Sequence, residues 1–109
     1  MKNAWAPFAA LALAASPALA SSDDAWSAFR ADVETACLKA VDARVTKPKI
    51  VVDPFGTEHY GVAVITGKAK GSASEQISLV CVYDKSAKTA EASEGFASDV
   101  LQVKIPKAK

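Results

Sequence analysis

Ser78-Leu79-Val80-Cys81-Val82-Tyr83-Asp84-Lys85 is the most strongly β-prone run of the 109-residue chain, and it carries one of the two cysteines. Its reading decides the fold, because it predicts the central strand of the domain. The other cysteine lies in a stretch of different period. Trp26, Phe29, Val33, Cys37 and Ala40 recur at spacings of 3, 4, 4 and 3, which is one face of an α-helix. Arg30, Asp32, Glu34 and Lys39 fall largely elsewhere on the wheel, so the Cys37 sulfur points into the core. Two cysteines allow one intramolecular pairing, a bond between Cys37 on the helix and Cys81 on the sheet. It would close a loop of about 45 residues, contributing roughly 4 kcal/mol on the chain-entropy model.

Working outward, the helix is preceded by capping residues at 21–24, with acidic groups where the positive end of its dipole falls. It is expected to end near residues 42–44. Residues 44–49 are polar, contain Pro48 and predict a connector. Ile50, Val51 and Val52 predict a first strand, closed by the turn chemistry of Asp53-Pro54-Phe55-Gly56. Residues 58–66 predict a second strand, with Tyr60, Val62 and Val64 expected on the inner face and Gly61, Ala63 and Ile65 on the outer. A Gly-, Ser- and Lys-rich hairpin loop is expected over 67–74, the third strand over 75–85, a turn at 86–88 and a weaker fourth strand over 89–93. Leu101, Val103 and Ile105 alternate with Gln102 and Lys104, predicting a last, edge strand ended by Pro106. Short connections favour an antiparallel meander. The fold class is α+β: one N-terminal helix packed on a four- or five-stranded antiparallel sheet, with one helix–sheet disulfide.

The first 20 residues read as an export signal. Lys2 supplies a positive start, residues 4–15 are almost wholly apolar, and Ala18-Leu19-Ala20 offers small residues where a signal peptidase cuts. The apolar run is too short, and too interrupted by Pro7 and Pro17, for a membrane span of about 20 residues. No cysteine follows the cut, so no lipid anchor is expected. Residues 21–109 then form a single small domain in the periplasm or outside the cell, where a disulfide supplements a modest core. Losing Lys2 brings Lys and Arg level with the 12 Asp and Glu. A neutral domain has no general attraction for nucleic acid. Lys68 and Lys70 on one loop and Lys104, Lys107 and Lys109 at the end read as dispersed, solvated charges.

Catalytic parts are scarce. His59 is the single histidine, which excludes a two-histidine metal site from one chain, and oxidised cysteines offer no thiolate. No Gly-x-Ser-x-Gly elbow is present, and the Gly67-Lys68-Ala69-Lys70-Gly71 run lacks P-loop spacing. No cofactor or metal is expected. Phe55, at the tip of a turn, is a candidate binding anchor or a lid folded over the end of the core. His59 sits beside it on the strand, and Asp84 and Lys85 end the central strand as interaction candidates or as a solvated turn. The other candidates lie on the outer sheet face. With Cys81 turned to the helix, Val80 and Val82 turn away, and Ile65 is expected beside them. Such an apolar outer face needs a cover: either the C-terminal segment with Phe96, Leu101, Val103 and Ile105, or a protein partner or second copy.

Signal, helix cysteine, Tyr60-Gly61 on one strand and Cys81-Val82-Tyr83-Asp84-Lys85 on a later one resemble small exported proteins of alphaproteobacteria. That resemblance implies the periplasmic address and no activity. The layout is also similar to cystatin-like and β-lactamase-inhibitor-like α+β folds, some of which block enzymes with loops, although no inhibitory motif of either group is present. One family of periplasmic lysozyme inhibitors is set aside, because its serine-rich and Thr-Lys-Gly signatures are missing and a leading helix does not suit its barrel. The expected function is a non-catalytic exported binding module engaging a protein or envelope partner, an enzyme inhibitor included. A small-molecule or metal carrier is the alternative, and a small envelope enzyme the third reading.

Overall fold

A computed structural model of the chain describes residues 22–72 and 74–106. The expected signal segment, its cleavage junction and the last three residues lie outside that range. Helix α1 (Asp23–Val41) is followed by strands β1 (Val45–Val52), β2 (Tyr60–Ala69), β3 (Gln76–Asp84), β4 (Thr89–Ala92) and β5 (Phe96–Ala97). All strand pairs are antiparallel, in the order β1-β2-β3-β4, and the short β5 pairs with β3 as well. The helix packs on one side of this five-stranded sheet, as expected.

The helix starts where its sequence provides a cap. The Ser22 hydroxyl accepts the Ala25 N–H at 3.1 Å, and Asp23 and Asp24 occupy the first turn. Val33, Cys37 and Val41, four apart, are fully buried, with Phe29 and Ala36 packed at their margins. They meet Val45, Ala63, Ile65, Leu79, Cys81 and Tyr83 from the sheet. Each such aliphatic side chain, fully buried, contributes about 1.5–3 kcal/mol. Cys37 and Cys81 are bonded across the layers, with Cα atoms 5.9 Å apart.

The inner face of β2 is the reverse of the expected one. Ala63 and Ile65 are fully buried in the core, whereas Tyr60, Val62 and Val64 look outward. Ile65 is therefore a core residue and not an interaction candidate. The cause is register: Ala63 pairs with Cys81 and Ile65 with Leu79, and antiparallel partners share a face. At Gly61 no side chain fits, because the helix comes close. A Cβ on Gly61 would lie 2.6 Å from Val33 Cγ2 and 3.1 Å from Phe29 Cζ.

Residues 45–49 belong to β1 and do not form a connector. Pro48 is tolerated because β1 is an edge strand, where a missing N–H breaks no ladder. A bulge makes the strand usable. Thr46 pairs with Lys68 and Lys49 with Thr66, so three steps along β1 match two along β2. That extra residue switches the alternation. Val45 faces inward before it, and Ile50 and Val52 pack against the core after it. Lys47 takes the left-handed conformation there, at φ 50°, which costs a non-glycine residue about 1–2 kcal/mol.

The end of the chain also differs from expectation. Residues 101–106 form no strand; the last strand is Phe96–Ala97. Ser93 and Gly95 explain why. The Ser93 hydroxyl accepts the Val80 N–H at 3.0 Å, its own N–H reaches Val80 O at 2.8 Å, and Gly95 at φ 110° turns the chain back to β3. After β5, the amides of Val100 and Leu101 both donate to Ala97 O, a single turn that breaks the alternation.

Candidate functional site

Two surfaces gather the candidate residues. The first is the end of the sheet where residues 53–59 link β1 to β2. Asp53 Oδ1 accepts the N–H groups of Phe55 at 3.1 Å and Gly56 at 3.0 Å. Those two bonds, aided by the nearby Lys85 charge, hold the Asp53 carboxyl below its ordinary pKa. Gly56 has φ 72°, and a Cβ there would strike the Tyr60 carbonyl oxygen, so glycine is required. The loop is tied down by Lys85, whose ammonium donates to Thr57 O at 2.7 Å and Phe55 O at 3.2 Å. The same ammonium sits 5.0 Å from the Phe29 ring centroid and 5.7 Å from that of Trp26.

Phe55 neither folds under the loop nor stands free. Its ring meets Trp26 edge-on at 4.9 Å and remains 56% exposed. Trp26 in turn meets Phe29 at 5.6 Å, and Phe29 meets Tyr83 at 6.3 Å. Beside this cluster lies an open cleft of 410 Å³, lined by Ala25, Trp26, Ala28, Phe29, Asp32, Tyr83, Lys85 and Lys88. The two alanines leave it room. Trp26 thus borders a cleft in place of filling the core.

Asp84 and His59 do less. Asp84 Oδ1 accepts the N–H groups of Ser86 and Ala87, both at 2.9 Å, which is the work of a turn residue. His59 is well exposed, and its Nε2 lies 3.9 Å from Glu58 Oε1. Those residues contain no group of three or more His, Cys, Asp or Glu placed to hold a metal ion, and no helix long and apolar enough to cross a membrane.

The second surface is the outer face of the sheet. Val80 and Val82 lie there as expected, 38% and 37% exposed. Register brings Val64 and Val51 alongside Val80, and Val62 alongside Val82. Val51 is 51% exposed, and Tyr60 and Phe96 are open at the margins. A hollow of 580 Å³, lined by Tyr60, Val82, Asp84, Thr89, Ala90 and Glu91, adjoins the valines at one end. At the other end the C-terminal segment approaches Lys49, Thr66 and Gln76 across a hollow of 620 Å³. Thr66 and Ser78 are buried at that end, satisfied by each other at 3.2 Å and by Ile77 O. The segment therefore covers one end of the face and leaves the valines open.

Sequence reasoning missed Val51, Val62, Val64 and Tyr60 on this face, and Trp26 in the cleft. Once Cys81 is placed inward, the hairpin register identifies the first four. Nothing local in the sequence marks Trp26 as other than a core residue. No protein-family model, curated protein or solved structure matches this chain.

Proposed function

We propose that the chain is a non-catalytic exported binding module that seats a protein partner on the outer face of its sheet. The observation that carries this reading is the contiguous valine block formed by Val51, Val62, Val64, Val80 and Val82. A wet antiparallel face normally alternates apolar with polar residues, and an apolar patch with a polar rim is the usual composition of a docking surface. Here Asp84, Thr89 and Glu91 supply a polar rim beside Val82. The export half of the reading rests on Lys2, the apolar residues 4–15 and Ala18-Leu19-Ala20. The Cys37–Cys81 bond suits an oxidising compartment. The non-catalytic half rests on the bonding of both cysteines and on the exposed position of His59.

The test is Val82→Lys, followed by light scattering after size exclusion and by pull-down from periplasmic extract. The variant should stay folded and lose the partner, or the dimer if a second copy is the occupant. A parent protein that is monomeric, captures nothing and melts identically to Val82→Lys would overturn the reading. Export is tested by N-terminal sequencing, which should start at Ser21.

The aromatic cleft favours a second reading, a small-molecule carrier. Native mass spectrometry would then show a co-purifying ligand that Trp26→Ala releases and Val82→Lys retains.

A further inference from the structure

The lysines that look dispersed along the sequence converge in space. Lys47, Lys49 and Lys68 line one hollow of 200 Å³ together with Thr66, Gly67 and Gln76. Lys49, Thr66 and Gln76 also line the larger hollow, whose far wall is the C-terminal segment with Lys104. Among the described residues no carboxylate lines either hollow and none of these lysines forms an ion pair. This is not what an evenly charged surface looks like, given that the chain carries 13 basic against 12 acidic residues.

The β1 bulge creates the arrangement. Without the bulge, alternation running unbroken from the buried Val45 through every residue would turn Lys47 and Lys49 toward the core. With it, Lys49 comes to the outer face opposite Thr66. Lys47 pays for that switch with a left-handed backbone that glycine would adopt freely. Strained backbone beside a group of like charges is an outlier that calls for a functional reading. The floor between the lysines is already ordered. The Thr66 hydroxyl donates to Ile77 O at 3.0 Å and accepts from Gln76 Nε2 at 3.3 Å.

We propose that this basin, between the β1–β2 edge and the C-terminal segment, binds a multiply charged oxyanion of the phosphate type. Several ammonium groups around one hollow favour a dianion over a single carboxylate, because each adds an attractive charge with none opposing it. Lysine binds phosphate as a point charge without a fixed fork geometry, so the number of lysines around the hollow, and not their shape, carries the preference for a dianion. The basin lies at the far end of the same outer face and shares no residue with the valine block.

Inorganic phosphate is titrated into isotopically labelled protein at low salt, with chloride at matched ionic strength as the control. Saturable amide shifts are expected at residues 46, 47, 49, 66–68 and 76. Lys49→Gln with Lys68→Gln should weaken the apparent affinity at least tenfold, and Lys39→Gln, on the exposed side of α1 across the sheet, should not. Lys104→Gln lies on the irregular tail, so its partial loss of affinity gives a readout even if the double variant unfolds. Co-sedimentation with phosphatidic acid vesicles, whose headgroup is a phosphate monoester, against phosphatidylcholine distinguishes a lipid headgroup from a soluble phosphate as the source. Absence of saturable shifts with phosphate and of binding to the anionic vesicles would overturn the proposal. So would wild-type affinity in a folded double variant.

Discussion

Gly61→Ala tests the face assignment on which the exposed valine block depends. The added methyl would stand 2.6 Å from Val33 Cγ2, 3.1 Å from Phe29 Cζ and 3.3 Å from Tyr83 Cβ. Val33 is fully buried, so it cannot swing aside into solvent. Overpacking of this kind costs about 1–3 kcal/mol. Replacing glycine in a strand returns about 0.5–1 kcal/mol through the unfolded chain, leaving a net loss of roughly 1–2 kcal/mol. For a domain this small each kcal/mol moves Tm by about 4–8 °C, so a fall of roughly 5–15 °C is expected. Thermal and urea unfolding measure it. Val33→Ala should partly rescue Gly61→Ala, with a coupling of about 1 kcal/mol in the double-mutant cycle. A neutral or stabilising Gly61→Ala, additive with Val33→Ala, would mean that residues 61, 63 and 65 do not face the helix. The outward placement of Val62 and Val64 would then fall with it.

Three further outcomes are expected. Cys81→Ala opens a bond spanning 44 residues and should remove roughly 4 kcal/mol, a large share of the stability of any small domain; denaturation together with thiol titration checks it. The Asp53 carboxyl titrates below its unfolded value, so its contribution is complete above that value, near pH 4, and fades as pH falls through the folded pKa. NMR titration should show this in the wild type, with local loosening of residues 53–57 at acid pH that Asp53→Asn shows already at neutral pH. Lys85→Met removes the two bonds to the carbonyls of Phe55 and Thr57, so amide exchange should quicken across residues 55–59 while α1 stays protected.

Much of the architecture was legible because it is written in local period and chemistry. The spacing of Phe29, Val33 and Cys37 has one helical solution, Ser22 and two aspartates mark its start, and two cysteines have one partner each. The alternation through β3 was equally readable, since Cys81 anchors its phase and Val80 and Val82 follow. The phase of β2 was not. Gly61, Ala63 and Ile65 are smaller in sum than Tyr60, Val62 and Val64, and size alone puts the wrong set inside. Only the close approach of α1, which leaves no room for a Cβ at Gly61, selects the small set. The β1 bulge was hidden for a related reason: a one-residue insertion has no compositional mark, yet it decides that Lys49 shares a face with Thr66. The convergence of Lys47, Lys49, Lys68 and Lys104 is likewise a property of register and of the returning tail. A sequence lists which side chains exist and their local period, whereas the partner across a ladder is chosen by packing between segments distant along the chain.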